Sequence, residues 1–142
     1  LASFRVDLDL TRLLLLAGAA TEARNHEGMT ALYVASSVRH DDEVAGVGRA
    51  AVVRLLLAAR ADIEAGDSKG ATPLMIAAAA GNAPLVKLLL QKGAKVDAVD
   101  TTGLSALELA MRGAHDECET VLRNALDATA GTGAFKGLKD ET

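Results

Sequence analysis

Two glycines, Gly70 and Gly103, lie 33 residues apart in closely similar stretches of the chain. The first stretch reads Asp67-Ser-Lys-Gly-Ala-Thr-Pro-Leu, and the second reads Asp100-Thr-Thr-Gly-Leu-Ser-Ala-Leu. The similarity continues downstream, so the period is a property of the chain and not of one motif. A period of about 20–50 residues is typical of stacked repeat units, which build an extended surface. The sequence therefore predicts an array of similar units.

The period extends towards the N-terminus, with one interruption. Residues 25–31 align with 67–73 at an offset of 42, which is nine more than the period. Register then returns, because residues 52–57 match 85–90 at an offset of 33. The extra residues are 39–47, between the two halves of one unit. The pattern predicts a partial repeat (1–24), a repeat with a nine-residue insertion (25–66), a regular repeat (67–99), a C-terminal capping repeat (100–126) and a C-terminal tail (127–142).

Composition limits the class of protein. Half of the 142 residues are apolar, which is enough for one hydrophobic core. A net charge of −4 argues against a nucleic-acid surface, and the single Cys118 allows no internal disulfide. The longest apolar run, residues 13–20, is too short to span a membrane, which needs about 20 residues. We expect an intracellular protein of the cytosol or an organelle interior, neither secreted nor inserted in a membrane.

The regular repeat contains signals for two helices. Asp67 to Gly70 has the residue types of a tight turn. Thr72 is predicted to cap a helix, and Pro73 suits its first position. A short helix is expected to end near Gly81, and a second to run from Asn82 or the next residue until Gly93. The buried face of this second helix is predicted to comprise Leu85, Val86, Leu88 and Leu89. An extended arm, Val96 and Ala98, is expected to lead into the next turn.

This pattern resembles the ankyrin repeat family over residues 1–126. The resemblance is carried by Gly70-x-Thr72-Pro73-Leu74, Ala77-Ala78, Gly81-Asn82, Val86-Lys87-Leu88-Leu89 and Gly93-Ala94. It implies an all-α, ankyrin-type helical solenoid of stacked helix–turn–helix repeats with short hairpin-like turns. It also implies a concave surface of turn tips and first helices that holds a partner protein, with no catalytic residues, cofactor or small-molecule substrate.

The chain departs from the family pattern at specific positions. The family often has histidine after Thr-Pro-Leu, where this chain has Tyr33, Met75 and Glu108. Glu108 instead follows Ser105 at the spacing of a capping box. Arg60 stands where the next repeat has glycine, so a left-handed backbone there would cost roughly 1 kcal/mol or more.

The insertion and the tail each allow two interpretations. The insertion is either a solvated loop or an ordered extension of the second helix capped by Asp41 or Asp42, with a role in binding. The tail has the composition of a flexible end. Phe135 and Leu138 are its candidate anchors, either on this chain or on a neighbour.

Several segments contain residues that bind metals or phosphate in other proteins. His115 and Glu119 would share a helix face, but Cys118 falls in an apolar position of the repeat. The acidic segment 40–43 is expected to be a solvated loop. Residues 131–137 lack the lysine and hydroxyl ending of a phosphate-binding loop and any preceding strand. The sequence therefore predicts no metal site.

The resemblance assigns contact positions to the predicted groove. Tyr33 and Met29 are the leading contact candidates, although each is equally consistent with ordinary packing. The residues predicted to bind a partner are His26, Glu27, Met29, Tyr33, Ser37, Arg39, Asp41, Asp42, Ser68, Lys69, Thr101, Thr102, Leu104, Arg112, Phe135 and Leu138.

Two functions from different classes fit these expectations. The first is a non-catalytic protein–protein interaction module, an adaptor or accessory subunit of a larger assembly. The second is a regulatory or targeting segment of an enzyme whose catalytic domain lies outside these residues. A catalytic domain elsewhere in the open reading frame would favour the second.

Overall fold

The computed structural model describes residues 21–24, 27–37 and 43–130. These residues form helices connected by short turns within a repeat and by longer loops between repeats. They contain no β-strand beyond an isolated bridge between Val99 and Ser105. The helices are α1 (Ala31–Ser36), α2 (Glu43–Ala58), α3 (Pro73–Ala79), α4 (Ala83–Gln91), α5 (Ala106–Arg112) and α6 (Asp116–Ala130).

The helices pair within each repeat and stack between repeats. α1 packs on α2, α3 on α4 and α5 on α6, while the short first helices α1, α3 and α5 form a continuous row. α4 also packs against α6. The core is mostly leucine, valine and alanine, including Leu32, Val53, Leu74, Leu89 and Leu122. The fold is the helical solenoid that the sequence predicts.

Each of three helices starts at a side chain that accepts a hydrogen bond from an N–H group of the first turn, which has no backbone acceptor. Thr72 Oγ1 accepts a hydrogen bond from the N–H of Met75, and Pro73 occupies the first turn. Asn82 Oδ1 does the same for the N–H of Leu85. At α5, Ser105 and Glu108 form the predicted capping box. These contacts confirm the predicted starts of the helices.

The insertion and tail have different boundaries from the repeat pattern. α2 begins at Glu43, so residues 43–47 of the insertion are helical and extend the second helix. α6 continues to Ala130, and residues 127–130 of the predicted tail therefore belong to the terminal helix. The predicted extended arm is wrong at its start, because Val96 and Asp97 form a turn.

Among the described residues, Arg60 and Ala114 adopt the left-handed conformation although neither is glycine. Arg60, which aligns with Gly93, has a φ of 65°. Ala114 has a φ of 56°, and it aligns with Gly81, whose φ is 74°. The left-handed conformation is strained for a residue with a Cβ atom. The repeat geometry therefore keeps Arg60 and Ala114 in a backbone conformation that residues with a Cβ atom disfavour.

Carboxylates link the loops of successive repeats at equivalent positions. Glu22 Oε1 accepts a hydrogen bond from the N–H of Asp62 at 2.7 Å. Glu64 Oε1 accepts one from the N–H of Lys95, also at 2.7 Å. Asp97 occupies the next equivalent position, but the corresponding N–H belongs to residue 128, inside α6. The series of links therefore ends where the terminal helix replaces a loop.

Within the described ranges, no helix combines the length and the apolar character needed to cross a membrane.

Candidate protein-binding surface

Two successive hairpin turns are each built around an aspartate. Asp67 Oδ1 accepts hydrogen bonds from the N–H groups of Lys69 and Ala71, and Asp100 Oδ1 accepts from those of Thr102 and Leu104. Gly70 and Gly103 follow with φ of 76° and 82°. Only glycine takes this conformation without strain, so the turns keep the same shape in both repeats.

Successive hairpins lie against each other. The N–H of Thr101 donates a 2.9 Å hydrogen bond to the carbonyl of Lys69, which joins the two tips through the backbone. A Cβ atom placed on Gly28 would lie 3.5 Å from the backbone nitrogen of Ser68, so the first described hairpin continues the row. The side chains of Ser68, Lys69, Thr101 and Thr102 are exposed along this row.

Tyr33 connects the first of these repeats to the next. Its side chain is only 5% exposed, and its hydroxyl donates a 2.9 Å hydrogen bond to Asp67 Oδ2. Burial and the neighbouring Asp67 raise the pKa of Tyr33 to about 12. This burial favours the packing interpretation of Tyr33 over a direct contact with a partner.

The pKa values of Asp67 and Asp100 are both lowered, but by different hydrogen bonds. Burial acts to raise the pKa of Asp67, but hydrogen bonds from the N–H of Ala71 and the hydroxyl of Tyr33 outweigh it, and the pKa is lowered. The pKa of Asp100 is lowered first by the hydroxyl of Thr102. Met75, which occupies the position of Tyr33, has no hydroxyl, and Thr102 supplies the bond from within the same turn.

The other predicted contact residues occupy varied environments. Glu27, Ser37 and Arg112 are exposed, whereas Met29 and Leu104 are half-buried. The structure thus places an acidic side chain in the first described hairpin and a basic one at the end of α5. The remaining predicted residues lie outside the described parts of the chain: His26, Arg39, Asp41, Asp42, Phe135 and Leu138.

The residues considered as metal ligands have structural partners. The ring of His115 makes a 3.0 Å hydrogen bond with the carbonyl of Ala79 in the preceding repeat. Glu119 pairs with Arg123 one turn later, at 2.6 Å. Cys118 is buried, and this burial raises the pKa of its thiol. The described residues include no group of three His, Cys, Asp or Glu side chains placed to hold a metal ion.

Sequence reasoning missed some of the residues that fix this surface. Arg24 Nη1 donates hydrogen bonds to the carbonyls of Gly28 and Gly66, each at 2.6 Å, so it joins two successive loops. Glu22 and Glu64 provide the carboxylate links described above. A signal for the carboxylates was present, since residues 22, 64 and 97 are all acidic at equivalent repeat positions.

Comparison with known families agrees with this geometry. A family model described as "Ankyrin repeats (3 copies)" matches residues 43–131, which is more than half of the chain. A search of curated proteins finds no significant match. Ankyrin repeats are generally protein–protein interaction modules and are typically non-catalytic. The matched segment contains α2 to α6, with both aspartate-based turns, and the chain belongs to the ankyrin repeat family.

Proposed function

We propose that this protein is a non-catalytic adaptor or accessory subunit that binds another protein along its hairpin tips and first helices. The observation that supports this most directly is the backbone hydrogen bond between Thr101 and Lys69. It fixes neighbouring tips while their side chains remain exposed. A surface that is ordered before binding loses less conformational entropy when the partner arrives.

The chemistry of the tips suits a polar partner surface. Ser68 and Thr101 carry hydroxyl groups that both donate and accept hydrogen bonds. The Thr102 hydroxyl donates to Asp100 and offers its oxygen as an acceptor. Lys69 and Arg112 add positive charge, and both are exposed. We therefore propose a partner segment that offers carbonyl and carboxylate oxygens to this row. The insertion at 39–47 remains a predicted additional contact.

Site-specific photo-cross-linking tests this proposal. A photoreactive residue is placed at Ser68 or Thr102, and its matched control is placed at Lys87, which is exposed on α4. The tip positions are expected to cross-link to one defined protein in the native assembly, and the control is not. The Lys69→Glu and Arg112→Glu variants should then weaken binding of that protein once it is purified.

Cross-linking at Lys87 that equals cross-linking at the tips would contradict the proposed surface. Unchanged affinity of both charge-reversal variants would do the same, provided that circular dichroism shows their helical content to be intact.

A further inference from the structure

The first helix of the regular repeat, α3, is apolar on every side. Its seven residues are Pro-Leu-Met-Ile-Ala-Ala-Ala. Leu74 and Met75 are each 1% exposed, because α1, α4 and α5 pack on this helix. Ile76 and Ala79 lie one turn apart on the same side of α3, and both are half-buried. A helix that is apolar all round is ordinarily buried all round, so this open side of α3 is suited to contact with another apolar group.

The neighbouring repeats have polar residues where this side of α3 has alanine. The position of Ala79 is held by Ser37 in the preceding repeat and by Arg112 in the following one, and both are exposed. The apolar stretch is therefore confined to the regular repeat. It comprises Ile76 and Ala79 together with half-buried Ala71, just before α3, and these three residues are called the α3 surface below.

Two positive charges flank the α3 surface. Arg112 occupies the position of Ala79 on the adjacent helix α5, and packed helices lie about 8–10 Å apart. Lys69 lies in the hairpin that leads into α3, and its side chain is exposed. In the parts of the chain that the structure describes, the ion pairs join Lys87 to Glu117 and Arg123 to Glu119, so neither Lys69 nor Arg112 is used in one.

The carboxylates closest to these charges in sequence already have partners. Both oxygens of Asp67 accept hydrogen bonds, from two N–H groups and from the hydroxyl of Tyr33. Glu108 accepts the N–H at the start of α5 in the capping box. Glu27 places negative charge in the hairpin before α1. An acidic partner is therefore favoured over the regular and terminal repeats and disfavoured over the first described hairpin.

We propose that the α3 surface binds a large apolar side chain of a partner protein segment, and that acidic residues flanking this side chain pair with Lys69 and Arg112. The inference rests on the proposed binding along the hairpin tips and first helices, and it adds the chemistry of the partner. Burial of the apolar side chain supplies most of the affinity. The exposed ion pairs contribute less and orient the segment in the groove.

A phage-displayed library of random peptides, each a dozen residues long, tests the proposal with the full chain as the target. The enriched peptides are expected to combine a large apolar residue with Asp or Glu a few positions away. Replacement of that apolar residue by alanine in the peptide should weaken binding at least about tenfold, as measured by fluorescence anisotropy. Added salt should also weaken binding, because the ion pairs are exposed.

Variants of α3 locate the contact on the protein. Ile76→Ala removes apolar area from the α3 surface, and Ala79→Glu places a carboxylate in it. Each should weaken binding of the enriched peptides about tenfold. Lys87→Glu, on the exposed side of α4, is the control and should leave binding unchanged. Circular dichroism checks the helical content of each variant, and Ala79→Glu alone decides the matter if Ile76→Ala fails to fold.

Enriched peptides that lack a large apolar residue, or that lack Asp and Glu, would overturn this inference, and so would a selection that enriches no peptide. Peptides that Lys69→Glu and Arg112→Glu weaken but that bind equally to both α3 variants would overturn the apolar contact and leave the proposed tip surface in place. Peptides that none of these four variants weakens would bind elsewhere on the chain, which would contradict both proposals.

Discussion

The hydroxyl of Tyr33 donates a 2.9 Å hydrogen bond to Oδ2 of Asp67, across the boundary between two repeats. Tyr33 belongs to the short first helix of one repeat, and Asp67 begins the hairpin of the next. The other carboxylate oxygen of Asp67 already accepts N–H groups inside its own turn. One aspartate therefore shapes a hairpin and also fixes that hairpin to the preceding helix.

Removal of the Tyr33 hydroxyl should weaken the contact between the two repeats without creating a cavity. Tyr33→Phe is expected to lower the free energy of unfolding by about 1 kcal/mol, the usual contribution of one hydrogen bond. Tyr33→Ala also removes the buried ring and should cost about 3–5 kcal/mol. Urea denaturation followed by circular dichroism measures both values. Equal losses in the two variants would show that the ring contributes nothing to packing.

Ionisation of Tyr33 should occur well above its ordinary range. It is the chain's single tyrosine, so the ultraviolet absorbance of tyrosinate reports this group alone. Its pKa of about 12 exceeds the ordinary tyrosine value of 10.0. Because the folded-state pKa is raised, the associated stability is present below about pH 10 and is lost as the pH rises through about 12.

Asp67→Asn provides the control for this titration. It removes the negative charge beside the phenol, so the midpoint should fall towards that of the urea-unfolded chain. A midpoint near that of free tyrosine in the unmodified folded protein would contradict the hydrogen bond to Asp67.

The carboxylate links between loops predict a contrast between two acidic residues at the same repeat position. Glu64→Ala removes the acceptor for the N–H of Lys95 and should cost about 1 kcal/mol of folding stability. Asp97→Ala removes no equivalent link and should change stability by less than about 0.5 kcal/mol. Thermal and urea denaturation compare the two variants. Identical losses would mean that the Glu64 bond adds nothing to the stack.

The left-handed alanine at position 114 predicts a stabilising substitution. Ala114→Gly relieves a strain of about 1–2 kcal/mol, partly offset by about 0.5–1 kcal/mol because glycine loses more backbone entropy on folding. A net gain of about 0.5 kcal/mol is expected in the free energy of unfolding. Gly81→Ala is the reverse change at the same repeat position and should destabilise the protein. The new Cβ would lie 2.5 Å from the Nδ1 atom of His115.

The architecture was accessible from sequence because the repeat places the same signals at the same intervals. Thr72, Pro73 and Asn82 act locally, so their capping roles follow from their own sequence neighbourhood. The alignment of Arg60 with glycine raised a left-handed backbone as one alternative, and the structure has it. Ala114 aligns with Gly81, so the same repeat signal applies to its left-handed backbone.

Contacts between repeats were harder to anticipate. Burial of Tyr33 depends on where Asp67 lies after stacking, and a local pattern does not contain that distance. Aromatic residues often anchor interfaces, so the sequence alone left Tyr33 equally consistent with a partner contact and with ordinary packing. The link through Glu64 joins residues 31 positions apart and depends on the loop geometry of both repeats.

The bond between the N–H of Thr101 and the carbonyl of Lys69 involves no side-chain atoms. Mutations at the tips can therefore alter which surface the protein recognises while the spacing between adjacent tips is preserved. New binding specificities can therefore arise by substitution of the tip side chains while the backbone arrangement of the tips stays the same. Selection on recognition is then largely uncoupled from selection on folding.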